Sequence, residues 1–576
     1  MIPKSRSKIL AFITLGIMAV FVVRLFYLQI IQHDYYVGLA NKEQLKQLVI
    51  PPKRGEIYIM DGSTPVKAVL NETVYTMFVD PVTVKNPSGI IDTLRQVAGG
   101  NMRDDPAGLI ATKDSRYQIL ATKLTRTQAE LIKAKSYAGI GFQEESQRVY
   151  PEGQLAAQVF GFVDYEGKGQ YGIEGGLNDR LTGKEGLLQS VTDVSNVPLT
   201  IGNNNINRPA INGDNVVLTV DRNVQAYAEK ALAAGLQKSG ATNGSVMVMD
   251  PQSGKIMAMA NLPTYKPAEY NTVQDAAAFN NSTISEPYEA GSDIKTLTVA
   301  TGLDKGVIEP DSTYNNTDYI TVGDKVISNA TKGQTGNITI QHALNYSLNT
   351  GMVTVAERLG DGVNINLNAR NTMYQYFHDK FRLGQTTGIE LANEAKGTII
   401  PPTDPDGGAV RYSNMAFGQG MDVTIMQVCA AFSTIINGGT YYTPSVVGGT
   451  MSDDGTNFTP AAAKPSQKNV ISQVASDKVR NMIHEARSTF YAGTDRPGYF
   501  IGGKTGTSQT LINGNYDNNQ TIGTYLGFGG VDQPKYVIMV EVSGKNMNLV
   551  GNKDAMPIFT DISNWMLNYL KLQPKG

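Results

Sequence analysis

The run from Ile9 to Ile31 constrains this chain more than any other stretch. Residues 9–23 are apolar, Arg24 interrupts them, and Leu25-Phe-Tyr-Leu-Gln-Ile-Ile31 continues. Fifteen apolar residues alone fall short of a bilayer, but a helix over residues 9–31 reaches the roughly 30 Å required, with Arg24 snorkelling to the outer interface. A secretory signal peptide fits a charged leader and an apolar stretch equally well. The end of the run, however, reads Gln29-Ile-Ile-Gln-His-Asp-Tyr-Tyr36, without a small-x-small cleavage site, so the expectation is a retained signal anchor. The leader carries Lys4, Arg6 and Lys8, which predicts a cytoplasmic tail over residues 1–8 and everything beyond the span outside the cytoplasm. No later stretch is long and apolar enough to span.

The remaining chain is too long for one ordinary core, so two or more domains are expected. Fifty basic and 52 acidic side chains argue against a general nucleic-acid binder. The single cysteine, Cys429, lies in the apolar run Val428-Cys-Ala-Ala-Phe432 and permits neither an internal disulfide nor a cysteine-rich zinc site. No cofactor or metal is expected. Four scattered histidines without a Gly-x-Ser-x-Gly elbow give a Ser-His-Asp hydrolase little support.

Short β-rich runs (57–60, 74–79) and a helical segment (125–136) come after the anchor. The glycine-rich region from Glu152 to Gly186 reads as turns and loops, and composition becomes linker-like around residues 202–207. A new pattern then starts: strand 216–220, Asp221 as N-cap, a helix through about Gln237, and a hairpin of 245–249 with 255–259. Strands 524–528 and 536–542 and a helix over 558–570 close the chain, and the stretch from Asp453 to Lys468 reads as a loop. The expected fold class is α+β, an antiparallel sheet with helices on both faces plus a helical subdomain. The expected boundaries are tail 1–8, span 9–31, non-catalytic β-rich pedestal 32–207 and catalytic domain 208–576.

Three short strings carry the chemistry: Ser292-Asp-Ile-Lys295, Ser347-Leu-Asn349 and Lys504-Thr-Gly506. The first sets a hydroxyl and an amine one helical turn apart, on one face. The second adds a hydroxyl and a carboxamide, and the third sets an ammonium beside a glycine, where a backbone can approach a ligand. Each string alone says little; Ser-x-x-Lys also occurs at Ser5–Lys8, in the basic leader. Their order is that of a serine acyltransferase activated by lysine. Gly498-Tyr-Phe-Ile-Gly-Gly-Lys-Thr505 also matches a P-loop, but its surroundings lack the strand before and helix after that a nucleotide site needs.

With further strings the chain resembles the class B penicillin-binding proteins, membrane-anchored peptidoglycan D,D-transpeptidases. These strings are Arg24 to Ile30, Arg54-Gly-Glu-Ile57, Arg148-Val-Tyr-Pro-Glu-Gly153, Gly172-Ile-Glu174, Leu181-Thr-Gly183, Gly388-Ile-Glu-Leu391 and Phe417-Gly-Gln-Gly420. The resemblance implies a penicillin-binding, serine β-lactamase-like transpeptidase fold with a pedestal or dimerisation domain. It implies that Ser292 attacks the penultimate D-alanine of a stem peptide and that Lys295 acts as base. Ser347 would relay the proton with Lys504 holding it, and Asn349 would orient the peptide. Thr505, Gly506 and Thr507 would bind substrate, with backbone N–H groups of Ser292 and Thr507 meeting the oxyanion. β-Lactams, a separate membrane-embedded glycosyltransferase and other division or elongation proteins are the implied partners, and Glu289 leans toward division-type members. A β-lactamase-like hydrolase and a non-catalytic scaffold are the alternatives. The chain departs from the family's Glu-Pro-Gly-Ser-Thr-Phe-Lys with Glu289-Ala-Gly-Ser-Asp-Ile-Lys295. Asp293 either favours a charged Lys295, opposing its work as a base, or caps the helix and points away. After Arg54-Gly-Glu-Ile57 the family's Asp-Arg-x-Gly is replaced by Met60-Asp-Gly62.

Overall fold

The computed structural model describes residues 4–36, 39, 45–191, 206–463, 465–512 and 515–576. The chain forms two compact units, one of residues 1–54 with 182–213 and one of residues 55–181 with 214–576. The linker-like run at 202–207 lies mostly outside the described residues.

In the first unit, helix α1 (Lys4–Phe26) continues into a π turn at Tyr27–Ile31. Residues 6–31 form the one helix among those described that is long and apolar enough to cross a membrane, and none of it is buried against protein. It is a candidate membrane anchor. The unit also holds a three-stranded antiparallel sheet with Gly186–Val191 between Leu45–Ile50 and Ile206–Arg208.

The second unit opens with strand Ile57–Asp61, which turns into the long strand Thr64–Val79; that strand pairs with Gln118–Leu124 and Ile140–Val149. Helix Arg126–Lys133 starts at a capping box of Thr125 and Gln128, which satisfies two orphan N–H groups at once. The region 152–186 is more structured than its glycine content suggests. It holds short helices at Ala157–Phe160, Gly172–Gly176 and Asn178–Thr182. Val159, Phe160, Ile173 and Leu181 give them a buried apolar side. Glycine here permits close approach rather than looseness: a Cβ on Gly161 would lie 2.3 Å from the Tyr171 carbonyl oxygen.

Strand Asn215–Asp221 departs from expectation. It runs parallel to Ile57–Asp61 and antiparallel to Val447–Met451, joining the β-rich sheet instead of opening the catalytic one. Val216, Val217, Leu218 and Val220 are all buried, and a strand apolar on both faces carries no pattern that names its partner. The polar stretch 453–468 is likewise not all loop, since Phe458–Pro460 pairs with Val447–Met451 and Pro465–Gln467 with Tyr441–Tyr442.

Helix α2 (Arg222–Ser239) begins at Asp221, whose carboxylate accepts from the N–H groups of Asn223 and Val224 at 2.9 and 3.1 Å. Then come α3 (Lys295–Asp304), α4 (Asn349–Arg358), α5 (Ile425–Ile436), α6 (Gln473–Tyr491) and α7 (Met556–Tyr569). The catalytic sheet has five antiparallel strands: β1 (Asn243–Met249), β2 (Ile256–Leu262), β3 (Phe500–Ile512), β4 (Asn515–Gly530) and β5 (Pro534–Ser543). Their order is β2-β1-β5-β4-β3, so β3 is an edge. Successive residues point to opposite faces. Val246, Val248, Ile538 and Val540 pack with α2 and α7, while Met247, Met249, Val537 and Met539 pack with α3 and α5. Both faces are covered by helices, as the sequence leads one to expect. The P-loop reading ends here, because Lys504 and Thr505 lie mid-strand, paired with Leu526 and Tyr525 of β4.

Candidate active site

Ser292 stands on a 3-10 turn, Gly291–Ile294, that runs directly into α3. Gly291 takes φ +58°, and a Cβ there would lie 2.7 Å from the Thr507 carbonyl oxygen. Glycine therefore lets the turn lie against β3. Its N–H donates to the carbonyl of Gly418, 3.0 Å away, which ties the Phe417–Gly420 string to the turn. Every residue of α3 from Lys295 to Leu303 is buried, so Lys295 has no route to water along its own helix.

The three strings converge here. Lys295 Nζ donates to the Ser347 carbonyl oxygen at 2.6 Å and to Asn349 Oδ1 at 2.7 Å, and lies 3.2 Å from Ser347 Oγ. Lys504 Nζ donates to the same Ser347 Oγ at 2.9 Å and to the Thr505 carbonyl oxygen at 2.8 Å. Ser347 adopts φ +55°. That left-handed conformation is uncommon for serine, and such strain gathers at functional sites. Here one residue meets Lys295 through its carbonyl while its hydroxyl sits between both amines. Ser292, Lys295, Ser347, Asn349, Thr505 and Thr507 all line one cleft of about 530 Å³.

Two residues are placed differently from the roles their strings suggest. Asn349 is engaged within the protein, accepting from Lys295 and donating through Nδ2 to the Ser328 carbonyl at 2.9 Å; one Nδ2 hydrogen remains for a ligand. Gly506 does not line the cleft. A Cβ there would lie 2.1 Å from Thr524 Oγ1 and 2.7 Å from Asp293 Oδ2, so its lack of a side chain makes room for those two groups.

Asp293 turns to β4: its Oδ2 accepts from Thr524 Oγ1 at 2.7 Å. It therefore does not ion-pair with Lys295. Burial pushes the Asp293 carboxyl up to about 7, against the Thr524 hydrogen bond and the Lys504 charge. Burial also drives Lys295 well below the usual lysine range, and the Lys504 charge drives it further. Lys504 is lowered by burial to about 8, with Asp293 opposing the fall.

Sequence reasoning missed Thr524, and also the buried group of Asn316, Asn329 and Thr350 that holds the loop at 328–331 beside the cleft. Thr350 Oγ1 donates to Asn316 Oδ1 at 2.9 Å and Asn329 Nδ2 donates to the same oxygen at 3.1 Å. Nothing in the sequence marks these residues, whose partners are supplied only by the fold. Among the described residues no group of three or more His, Cys, Asp or Glu is placed to hold a metal ion.

A serine at the head of a buried helix, a lysine one turn behind it, and a second serine and lysine beside them are the groups expected of a serine acyltransferase that would use lysine in place of histidine. Known proteins carry the identification further. Residues 244–564 match the family model of the penicillin binding protein transpeptidase domain, and residues 49–218 that of the penicillin-binding protein dimerisation domain. Stage V sporulation protein D of Bacillus subtilis is 30% identical over 99% of this chain and 87% of its own length. A probable peptidoglycan D,D-transpeptidase, PenA of Neisseria meningitidis, is 24% identical over 99% of this chain and 94% of its own. The crystal structure of Penicillin Binding Protein 2X from Streptococcus thermophilus shares the fold, with TM-score 0.74 at 21% identity over 91% of this chain and 80% of that one. The chain belongs to the penicillin-binding protein transpeptidase family, with the pedestal that marks its class B members.

Proposed function

We propose that the protein is a membrane-anchored peptidoglycan D,D-transpeptidase that crosslinks stem peptides through an acyl-enzyme on Ser292. The observation that carries this reading is the state of Lys295: wholly buried, without a carboxylate partner, and bonded to Ser347 and Asn349. A neutral amine has two hydrogens and one lone pair. The carbonyl of Ser347 and Oδ1 of Asn349 take both hydrogens, which leaves the lone pair for a hydroxyl.

In this reading Ser292 Oγ attacks the carbonyl of the penultimate D-alanine and its proton passes to Lys295. Ser347, its hydroxyl oxygen held by the Lys504 ammonium, carries a proton to the departing D-alanine nitrogen. Lys504 with Thr505 and Thr507 receives the donor's terminal carboxylate, and the N–H groups of Ser292 and Thr507 meet the oxyanion. An acceptor amine then takes the acyl group and frees Ser292. β-Lactams acylate the same oxygen. Residues 1–8 lie in the cytoplasm, 9–31 anchor the chain, 32–207 form the pedestal, and 208–576 work outside the membrane beside a separate glycosyltransferase. Glu289 leans toward a septal role.

The test is acceptor-dependent release of D-alanine from a stem pentapeptide by the detergent-solubilised full chain, with the crosslinked product identified by mass. Release that ignores the acceptor and rapid turnover of penicillin would instead mark a β-lactamase-like hydrolase. Labelling and crosslinking that both survive Ser292→Ala would sink the Ser292 acyl-enzyme, and a folded native chain that neither labels nor crosslinks would leave the scaffold reading standing.

A further inference from the structure

Asp293 is a buried carboxylate one residue from the nucleophile, and the mechanism above makes no use of it. It is fully buried, Oδ2 accepts from Thr524 Oγ1, and Oδ1 has no hydrogen-bond partner. The fold makes a place for it. It lies against the β3–β4 pair where Gly506 faces Thr524, and only a glycine at 506 admits it, since a Cβ would come within 2.7 Å of Oδ2. Lys504 is two residues along β3 and so projects from the same face as that gap. Lys295 leaves the 3-10 turn for the other side, toward Ser347 and Asn349.

We propose that Asp293 is a positioning residue that decides which of the two active-site lysines keeps its proton. Seated on the face of β3 from which Lys504 projects, its negative charge holds Lys504 as an ammonium, and that ammonium keeps Lys295 neutral. The inference rests on the acyl-transfer reading of Ser292 and Lys295 given above.

The groups around Asp293 leave its charge one cationic counterpart. Thr524 of β4 gives a neutral hydrogen bond. Tyr288, ahead of the turn, and Cys429, on α5, both feel Asp293, and burial drives both well above their ordinary values, so both stay uncharged. Glu541 of β5 faces Tyr288; burial raises it to about 7, and it adds no positive charge. Lys504 is the remaining partner, and Asp293 props up its pKa against burial. Lys295 feels Lys504 in turn, as a charge that disfavours its own. A direct pairing of Asp293 with Lys295 would keep the general base protonated. The arrangement instead passes the carboxylate's influence through Lys504, which inverts its sign at Lys295.

The experiment is the pH profile of acylation by a fluorescent penicillin, for the full chain and for Asp293→Asn and Asp293→Thr. Asp293 takes up its proton at about 7, so native and variant profiles should agree in shape below about pH 6. Above that the variants lack the charge, Lys504 releases its proton earlier, and the alkaline limb should move down by about one pH unit, a tenfold loss of rate near pH 9. A role confined to the Thr524 hydrogen bond would lower the rate equally at every pH. A parallel drop in both variants or an unmoved alkaline limb would each overturn the proposal while leaving the acyl-enzyme reading intact. If Ser292 itself fails to acylate, the functional reading falls first, and that outcome is seen in the native protein.

Discussion

Two long cationic side chains are sealed inside the same unit, and they do opposite things. Arg487 of α6 is fully buried, but its fork is filled. Nε and Nη2 donate to the two Asp495 carboxylate oxygens at 2.8 and 2.6 Å, Nη1 to the Tyr525 hydroxyl and Nη2 also to Thr560. Burial works against that charge, and Tyr525 and Asp495 outweigh it, leaving Arg487 above its ordinary value. Lys295 of α3 is as buried, yet its partners are neutral oxygens and the charge that acts on it is another lysine's. Burial with a carboxylate partner makes a rivet between α6, β4 and α7. Burial without one leaves an amine that the proposed reaction uses as its base. The difference lies in what the fold withholds from Lys295, and Asp293 shows how narrowly: one residue from Ser292, it accepts from Thr524 instead.

Perturbing each side of this comparison should separate chemistry from stability. The largest effect belongs to Ser292→Ala, which should reduce penicillin acylation by on the order of 10⁵-fold or more and leave the melting temperature nearly unchanged. Next is Lys295→Met, expected to slow acylation about 10²- to 10⁴-fold while the protein stays folded; stopped-flow labelling reads the rate and circular dichroism the fold. Arg487→Met should do the reverse. It strands Asp495 in a site only 14% exposed, a loss of about 3–5 kcal/mol of stability, while the protein that remains folded acylates at close to the native rate. A variant of Arg487 that kept its stability and lost its acylation would break the comparison.

The smallest effect is thermodynamic. The unfolded chain keeps Lys504 protonated to about 10.4, whereas the folded site releases that proton at about 8. Between those values the unfolded state binds more protons, so the Lys504 contribution makes stability rise with pH, by on the order of 1 kcal/mol per unit. Below 8 both states hold the proton and the slope vanishes. Lys504→Met should remove that extra slope, measured as the difference between the urea-unfolding curves of the two proteins from pH 7 to 10.

The sequence was legible where a residue's meaning is local. The apolar N-terminal helix, the Asp221 cap, the 245–259 hairpin and the final helix can each be read from periodicity and end signals within a few residues. The site strings were readable because their order is rare, although each is commonplace. What stayed hidden depends on partners far along the chain. Strand Asn215–Asp221 is apolar on both faces, so nothing in it says that it pairs with Ile57–Asp61. The region 152–186 hides its short helices behind glycines that permit close packing. For Asp293, both a helix cap and a countercharge to Lys295 were open, and Thr524, 231 residues away, decides between turning in and turning aside. Gly506 was read as room for a ligand; the room it makes is taken by Asp293 and Thr524.

Peptide mapping of the full chain after penicillin treatment tests the central claim most directly. One adduct is expected, on the peptide that carries Ser292, formed rapidly near neutral pH and absent from Ser292→Ala. An adduct on any other residue, or none on a protein shown to be folded, would contradict the acyl-enzyme and with it the function proposed for this site.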